Sequence, residues 1–233
     1  MSWNQTSFAT PQISDERVGA FLRSVYAWMC VGLFVTAGVA FAIASSETFI
    51  ETLLLNRVLI WGILLAQLGL VFYLSARVNK VAPATAAILF LVYSALVGVT
   101  SSVILLIYTA ASVASTFMIA ASMFGAMAAF GTLTKRSLAG WGQFLFMGLI
   151  GLIVAMIVGF FWQNDLLQFV ISSVGVVVFT GLTAWDAQRL KQMAVALPDG
   201  RVGSYAVVGA LSLYLDFINL FFMLLRLMGG RRN

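Results

Sequence analysis

From Ser24 almost to the C-terminus the chain is a succession of apolar runs separated by short polar clusters. Each run is about 20 residues long, which at about 1.5 Å rise per residue crosses a hydrocarbon core of about 30 Å. Apolar length read against punctuation by Pro, Gly and charged residues predicts helices at about Ser24–Ser45, Arg57–Ala76, Pro83–Leu106, Ser112–Leu133, Leu138–Trp162, Leu166–Leu197 and Ser204–Met228. The sixth is too long to lie wholly in the membrane. Its end, AQRLKQMAVAL, is amphipathic and should project into the headgroup region. The short connections predict that neighbours in sequence pack as neighbours in space. The expected fold class is an all-α polytopic membrane protein with seven transmembrane helices. Residues 1–23 read as a disordered cytoplasmic tail, 24–228 as the membrane domain and 229–233 as a short C-terminal tail.

Composition narrows the function classes. With 62% hydrophobic and 9% charged residues in 233 positions, there is no room for a separate soluble domain. The first 23 residues lack the apolar stretch of a cleaved signal peptide, and the sequon at Asn4 lies in a cytoplasmic tail, where it reads as chance. Cys30 is the only cysteine, so no intrachain disulfide can form, and it reads as a small apolar residue of the first helix. Histidine is absent, which removes His-based triads and His metal sites, and one cysteine cannot build a thiolate cluster. The chain is therefore expected to be neither an enzyme nor a cofactor carrier.

The net charge of +5 does not point to nucleic acid, because the basic residues are scattered over helix ends rather than interleaved with aromatics. It points to orientation. Arg17, Arg23, Arg77, Lys80, Lys135, Arg136, Arg189, Lys191 and Arg201 fall on the side of the N-terminus, whereas Arg57, Arg231 and Arg232 fall opposite. Positive residues favour the cytoplasm, so the N-terminus is expected there. Seven crossings then put the C-terminus outside, against the preference of its basic GGRRN end.

Two carboxylates interrupt the apolar runs: Asp186 in GLTAWDAQRLK and Asp216 in YLDFIN. A charge near a bilayer centre costs at least about 2.5 to 3.5 kcal/mol on insertion scales, so such a residue usually faces a bundle interior or a pathway. PDG, Pro198 to Gly200, is a turn signal that closes an antiparallel hairpin. Asp186 lies ~16 Å back from Leu197 and Asp216 ~18 Å forward from Ser204 at helical rise, so the two share a depth. If they face one another, two like charges in low dielectric cannot both ionise cheaply, and the pair would share a proton and titrate as a unit. Ser212, Asp216, Asn219, Met223 and Arg226 recur every three or four residues along one face of the last helix. A helix with one polar stripe belongs at the centre, with the other six around it.

The remaining singular residues have plainer readings beside their functional ones. Arg77 closes the second helix, either as a snorkelling cation or as a latch reaching one carboxylate of the pair. Arg226, ~15 Å along the helix from Asp216, is too far to pair with it and reads as interfacial. Trp61, Trp141, Trp162 and Trp185 read as belt anchors. The small residues Ser122, Gly125 and Ala129, and Gly148, Gly151 and Ala155, are expected to let helix backbones approach.

Several of these segments carry a resemblance. YLDFIN with its flanks, GLTAWDAQRLK, VYSALVGVTSS (Val92 to Ser102), STFMIAASMFGAMAAFGTLTKRSLAGWG and VYAWMCVGLFVTAGVA together resemble a bacterial member of the transmembrane Bax inhibitor motif family, over nearly the whole chain from Val18. The resemblance implies seven helices with a central last one and a buried aspartate pair. It also implies a pH-sensitive calcium leak closed by a basic residue at the end of the second helix. Asp186 and Asp216 match the pair, and Arg77 matches the basic position to within a residue. A link of bacterial relatives to an inner-membrane quality-control protease is implied as well. Four positions depart from the family pattern: Gln67 replaces a Glu, Ser137 an Asp, and Trp185 and Ala187 the residues either side of the aspartate in the usual YDTQ. The lost Glu bears on calcium selectivity rather than on the fold.

Two functions follow. The first is a proton-gated cation leak of the bacterial inner membrane, with Asp186 and Asp216 as the proton-sensing dyad and weak cation contact, Asn219, Ser212 and Thr183 lining the route, Arg77 as latch and Ca²⁺ as permeant ion. A Ca²⁺ storage site collects 6 to 8 oxygens, and this set offers only a loose one, which suits transit. The alternative is a membrane interaction protein that modulates a membrane-bound protease or other stress machinery without conducting. That role needs no titratable pair. A proton-coupled carrier is disfavoured because the segment pattern shows no inverted repeat.

Overall fold

The computed structural model describes residues 12–78, 80–162, 164–197 and 202–232. It is helical throughout, with α1 (Gln12–Ala44), α2 (Glu47–Leu55), α3 (Arg57–Arg77), α4 (Pro83–Ile107), α5 (Ala110–Leu133), α6 (Ala139–Phe161), α7 (Asp165–Ala196) and α8 (Val202–Met228). All but α2 are long and apolar enough to cross a membrane, as the spacing of apolar runs requires. The turn at Pro198–Gly200, Arg201 and the Asn4 sequon lie outside the described residues.

Two sequence expectations change at the first span. α1 begins at Gln12, so residues 12–23 are helix and not a tail. The reason is visible in the spacing of Val18, Phe21, Val25 and Met29, all buried, which recur at helical intervals and carry one apolar face back beyond Ser24. Arg17 extends that anchoring by donating from Nη2 to the Leu197 carbonyl at 3.2 Å, at the end of α7. The second change is α2, nine residues folded into the connection between two spans. Glu47 sits in its first turn, where a negative charge suits the helix dipole. Asn56 ends it and at once caps α3 by accepting from Leu59 N–H at 3.0 Å.

The last long helix is the axis of the bundle. α8 packs against α1, α3, α4, α5 and α7, while α6 is seated against α7 at the rim. Tyr214, Leu211, Leu213, Leu220 and Leu225 of α8 are fully buried. Around Tyr214 the core is specific: Phe90 and Tyr93 of α4 meet its ring edge-on at 5.7 and 5.9 Å, and its hydroxyl lies 2.6 Å from Thr36 Oγ1. A buried phenol placed without a partner would cost about 1–3 kcal/mol. Thr36 supplies that partner while also bonding to the Ser94 carbonyl at 2.9 Å.

Close helix crossings are made by glycine, but of those singled out in the sequence only Gly148 approaches a neighbour, Val178 of α7. Ser122, Gly125 and Ala129 lie on the outer face of α5, and nothing stands within 4 Å of a Cβ added at Gly125 or Gly151. The tight crossings are at Gly98, where a Cβ would lie 2.7 Å from the Thr36 carbonyl oxygen, and at Gly131, where it would run into the Ala184 carbonyl. Small residues in lipid contact are thus separated from small residues at interfaces, a distinction that spacing alone does not carry. The C-terminal tail is ordered against the α4–α5 turn: Thr109 N–H donates to the Gly230 carbonyl at 3.1 Å and Arg232 N–H to the Ile107 carbonyl at 2.8 Å.

Candidate functional site

α7 and α8 run antiparallel and in contact, which brings together the two carboxylates that their sequence depth put at one level. The carboxyl groups of Asp186 and Asp216 come close enough to interact directly. Asp216 is 5% exposed, and its second oxygen, Oδ2, is buried with no protein partner among the described residues. Ionised carboxylates only accept hydrogen bonds, so a bond between two carboxyl groups requires a proton on one of them. α7 and α8 fix both backbones, and the burial of Asp216 keeps most of the water from it.

Asp186 is the half-buried partner. It lines a cavity of about 220 Å³ between the ends of α3, α7 and α8, on the side of the N-terminus, with Ser75, Arg189, Tyr205 and Ser212 among its walls. The cation that acts on Asp186 is Arg189, one helical turn along α7. Its guanidinium also stands 5.4 Å from the Trp185 ring centre, a cation–π distance. Arg77, the expected latch, is exposed and stacks over Tyr73 of its own helix at 6.0 Å. It does not close on the pair. An arginine three residues after an aspartate in a helix shares its face, so AWDAQR contained the signal that motif matching to the second helix overlooked.

The other sequence-selected residues divide. Ser212 lines the cavity. Thr183 is fully buried and bonds to the Phe179 carbonyl at 2.8 Å, and Asn219 bonds to the Leu215 carbonyl at 2.8 Å. Both satisfy themselves on their own helix. Gln67 points to α4, donating to the Leu96 carbonyl at 2.9 Å, away from the pair. Trp61, Trp141 and Trp162 are exposed as belt residues should be. Trp185 is not: its indole packs against Gly142 of α6. Among the described residues no three Asp, Glu, His or Cys side chains gather into a metal site.

Gln188, in the same WDAQ segment, has a role that sequence reading missed. Its Oε1 accepts from Leu138 N–H at 2.7 Å and its Nε2 donates to the Arg136 carbonyl at 2.8 Å, pinning the α5–α6 connection onto α7. Lys191 adds a 2.7 Å bond to the Thr132 carbonyl. Gln188→Leu should leave two backbone groups unpaired at about 1–3 kcal/mol each and lower the melting temperature in detergent. Gln188→Glu, which keeps the acceptor for Leu138, should lose roughly half as much, and equal melting of all three proteins would remove the clamp.

Comparison with known proteins gives the family of this helical bundle. The family model described as Inhibitor of apoptosis-promoting Bax1 matches residues 18–233. The chain belongs to the Bax inhibitor family. The inner membrane protein YbhL of Escherichia coli K12 is 48% identical over 91% of this chain and 92% of its own length. An uncharacterized protein of Borreliella burgdorferi is 44% identical over 91% and 93%, and an uncharacterized membrane protein of Streptococcus pyogenes serotype M1 is 37% identical over 93% and 95%. The family match runs from within α1 to the end of the chain and so extends over all seven spans.

Proposed function

We propose that the protein is a proton-gated cation leak of the bacterial inner membrane, with its N-terminus in the cytoplasm and Ca²⁺ among its permeant ions. The observation that carries this reading is the close pair of carboxyl groups, Asp186 lining a cavity and Asp216 buried beside it. The name of the Escherichia coli relative supports the location, and the basic residues gathered on the N-terminal side support the orientation. A protease-protection test in inverted vesicles would contradict that orientation if an N-terminal reporter were inaccessible.

In this reading the closed arrangement is the one with Asp186 ionised, a state favoured by the attraction of Arg189 one turn along the same helix. Protonation of the pair weakens that attraction, so the closed population falls as pH drops and leak rises. Beyond the pair, Thr180 Oγ1 and Ser172 Oγ are also buried without protein partners among the described residues. They sit ~12 Å apart on α7, between the level of Asp216 and the side of the C-terminus. Buried hydroxyls of this kind are usually satisfied by water, and in this reading they add polar points beyond the aspartates.

Purified protein in liposomes should raise calcium, sodium or potassium flux above that of empty liposomes, increasingly so from about pH 8 to about pH 5, as expected where protonation of a coupled carboxyl pair opens the route. Fluxes equal to those of empty vesicles throughout would sink the channel reading and favour a protein that acts by binding other membrane machinery.

A further inference from the structure

On the half of the bundle nearer the C-terminus, α1 and α5 do not close on one another, and the gap exposes α8. It holds an apolar cavity of about 340 Å³, floored by Phe217 and Phe221 and walled by Ala37, Leu105 and Val113. A second space of about 610 Å³ shares Leu33, Ala37, Leu105, Val113 and Phe117 with it and continues outward past Cys30 and Phe34. The only hydroxyls in the inner lining are Thr36 and Ser101, and both are engaged, Thr36 with Tyr214 at 2.6 Å and Ser101 with the Val97 carbonyl at 2.6 Å. The groove offers a ligand no polar partner. Phe117 and Phe217 stack edge-on at 5.3 Å, so its floor is rigid.

Its mouth is different in character. The residues that line it at Ile104, Leu105 and Val113 flank the α4–α5 turn, and the C-terminal tail is fastened to that turn. Gly230 N–H donates to Ser112 Oγ at 2.9 Å, Arg232 N–H bonds to the Ile107 carbonyl, and Tyr108 bridges to Arg231. With the bond from Thr109 N–H to the Gly230 carbonyl, three hydrogen bonds fasten the tail to the turn. Their effect is to hold Arg231 and Arg232, both exposed, at the headgroup level beside an apolar slot. The nearby acidic residues Glu47 and Glu51 belong to α2, which packs on α1 and α3 on the other flank.

We propose that this groove binds an anionic glycerophospholipid, one acyl chain lying against Phe217 and Phe221 and the phosphate resting on Arg231 and Arg232. The inner space suits a chain: at a volume per methylene close to that of a water, about 30 Å³, it accommodates on the order of ten carbons. Arginines at a membrane surface contribute about 1 kcal/mol each toward anionic lipid, which is roughly fivefold in retention per residue. The wall supplies chain burial and the tail supplies headgroup choice, so the two contributions can be separated by mutation.

Native mass spectrometry of the full chain released from detergent, with phosphatidylglycerol or phosphatidylethanolamine of identical chains added in equal amount, tests this. The wild type should retain one phosphatidylglycerol at least about fivefold over phosphatidylethanolamine. Arg231→Ala with Arg232→Ala should bring the two lipids to parity, and Ala37→Phe should reduce both. Ala37→Leu serves as a milder filler if the larger side chain lowers helical content. Equal retention of the two lipids by the wild type, an unchanged preference in the double arginine variant, or a lipid-free dimer in which a second copy fills the slot would each overturn the proposal.

Discussion

Asp216→Asn should abolish most of the cation leak, and Asp186→Asn should leave leak high and nearly independent of pH. The two carboxyl groups interact closely, yet their surroundings differ: Asp216 is almost fully buried on the central helix, while Asp186 faces the cavity beside Arg189. An amide at 216 keeps the shape but removes a carboxylate that a passing cation would meet, leaving Asp186 as its carboxyl neighbour. The expected loss of flux is on the order of tenfold or more, since about 1.4 kcal/mol of lost attraction already gives a factor of ten. An amide at 186 removes the group that Arg189 attracts. Because Arg189 is exposed, that attraction is worth at most about 1 kcal/mol, so the pH response of the wild type should be a change of roughly fivefold rather than an all-or-none switch. Arg189→Gln should flatten the response in the same way. Arg77→Gln should leave it intact, which distinguishes the cation seen beside the pair from the one that family resemblance suggests. The flux of each variant across about pH 5 to 8, the interval over which the coupled pair should change its proton occupancy, reads out all four. A wild-type pH profile retained in Asp186→Asn would refute the coupling.

Gly131→Leu should prevent the bundle from forming. A Cβ at 131 would run into the carbonyl of Ala184, which is backbone and cannot turn aside, so α5 and α7 would have to separate along a crossing that also carries the Gln188 clamp and leads directly to Asp186. Overpacking of a core costs about 1–3 kcal/mol where side chains can shift, and more is expected here because a whole helix must move. Yield of monodisperse protein in detergent should fall severely for Gly131→Leu, and Gly131→Ala should fold with a lowered melting temperature. Gly125→Leu, in open space on the same helix, should be close to wild type. Equal behaviour of the leucine variants at 131 and 125 would show that the α5–α7 crossing is not as close as described.

Span lengths were legible because each apolar run had to match a hydrocarbon thickness, and the helices Arg57–Arg77, Pro83–Ile107 and Val202–Met228 fall within a few residues of where apolar length put them. The depth argument for Asp186 and Asp216 rested on an antiparallel hairpin, and α7 and α8 do pack against one another. What escaped was rotational. Facing is decided by which side of a helix meets a neighbour, and in lipid both sides are apolar, so Ser122, Gly125 and Ala129 read as an interface although they point outward. The same ambiguity hid Arg189 behind Arg77. α2 escaped because nine residues bounded by Ser46 and Asn56 are too few and too polar to register as a span, and Gln188 escaped because a hydrogen-bonding clamp to a loop leaves no periodic trace.

The shared proton itself is open to direct observation by infrared difference spectroscopy in the carboxyl C=O stretching region. At about pH 7, where exposed carboxyl groups are ionised, the wild-type protein should show a protonated-carboxyl band that shifts in D₂O and disappears in both Asp186→Asn and Asp216→Asn. Absence of such a band in the wild type, or its persistence in both variants, would contradict a pair that holds one proton between Asp186 and Asp216.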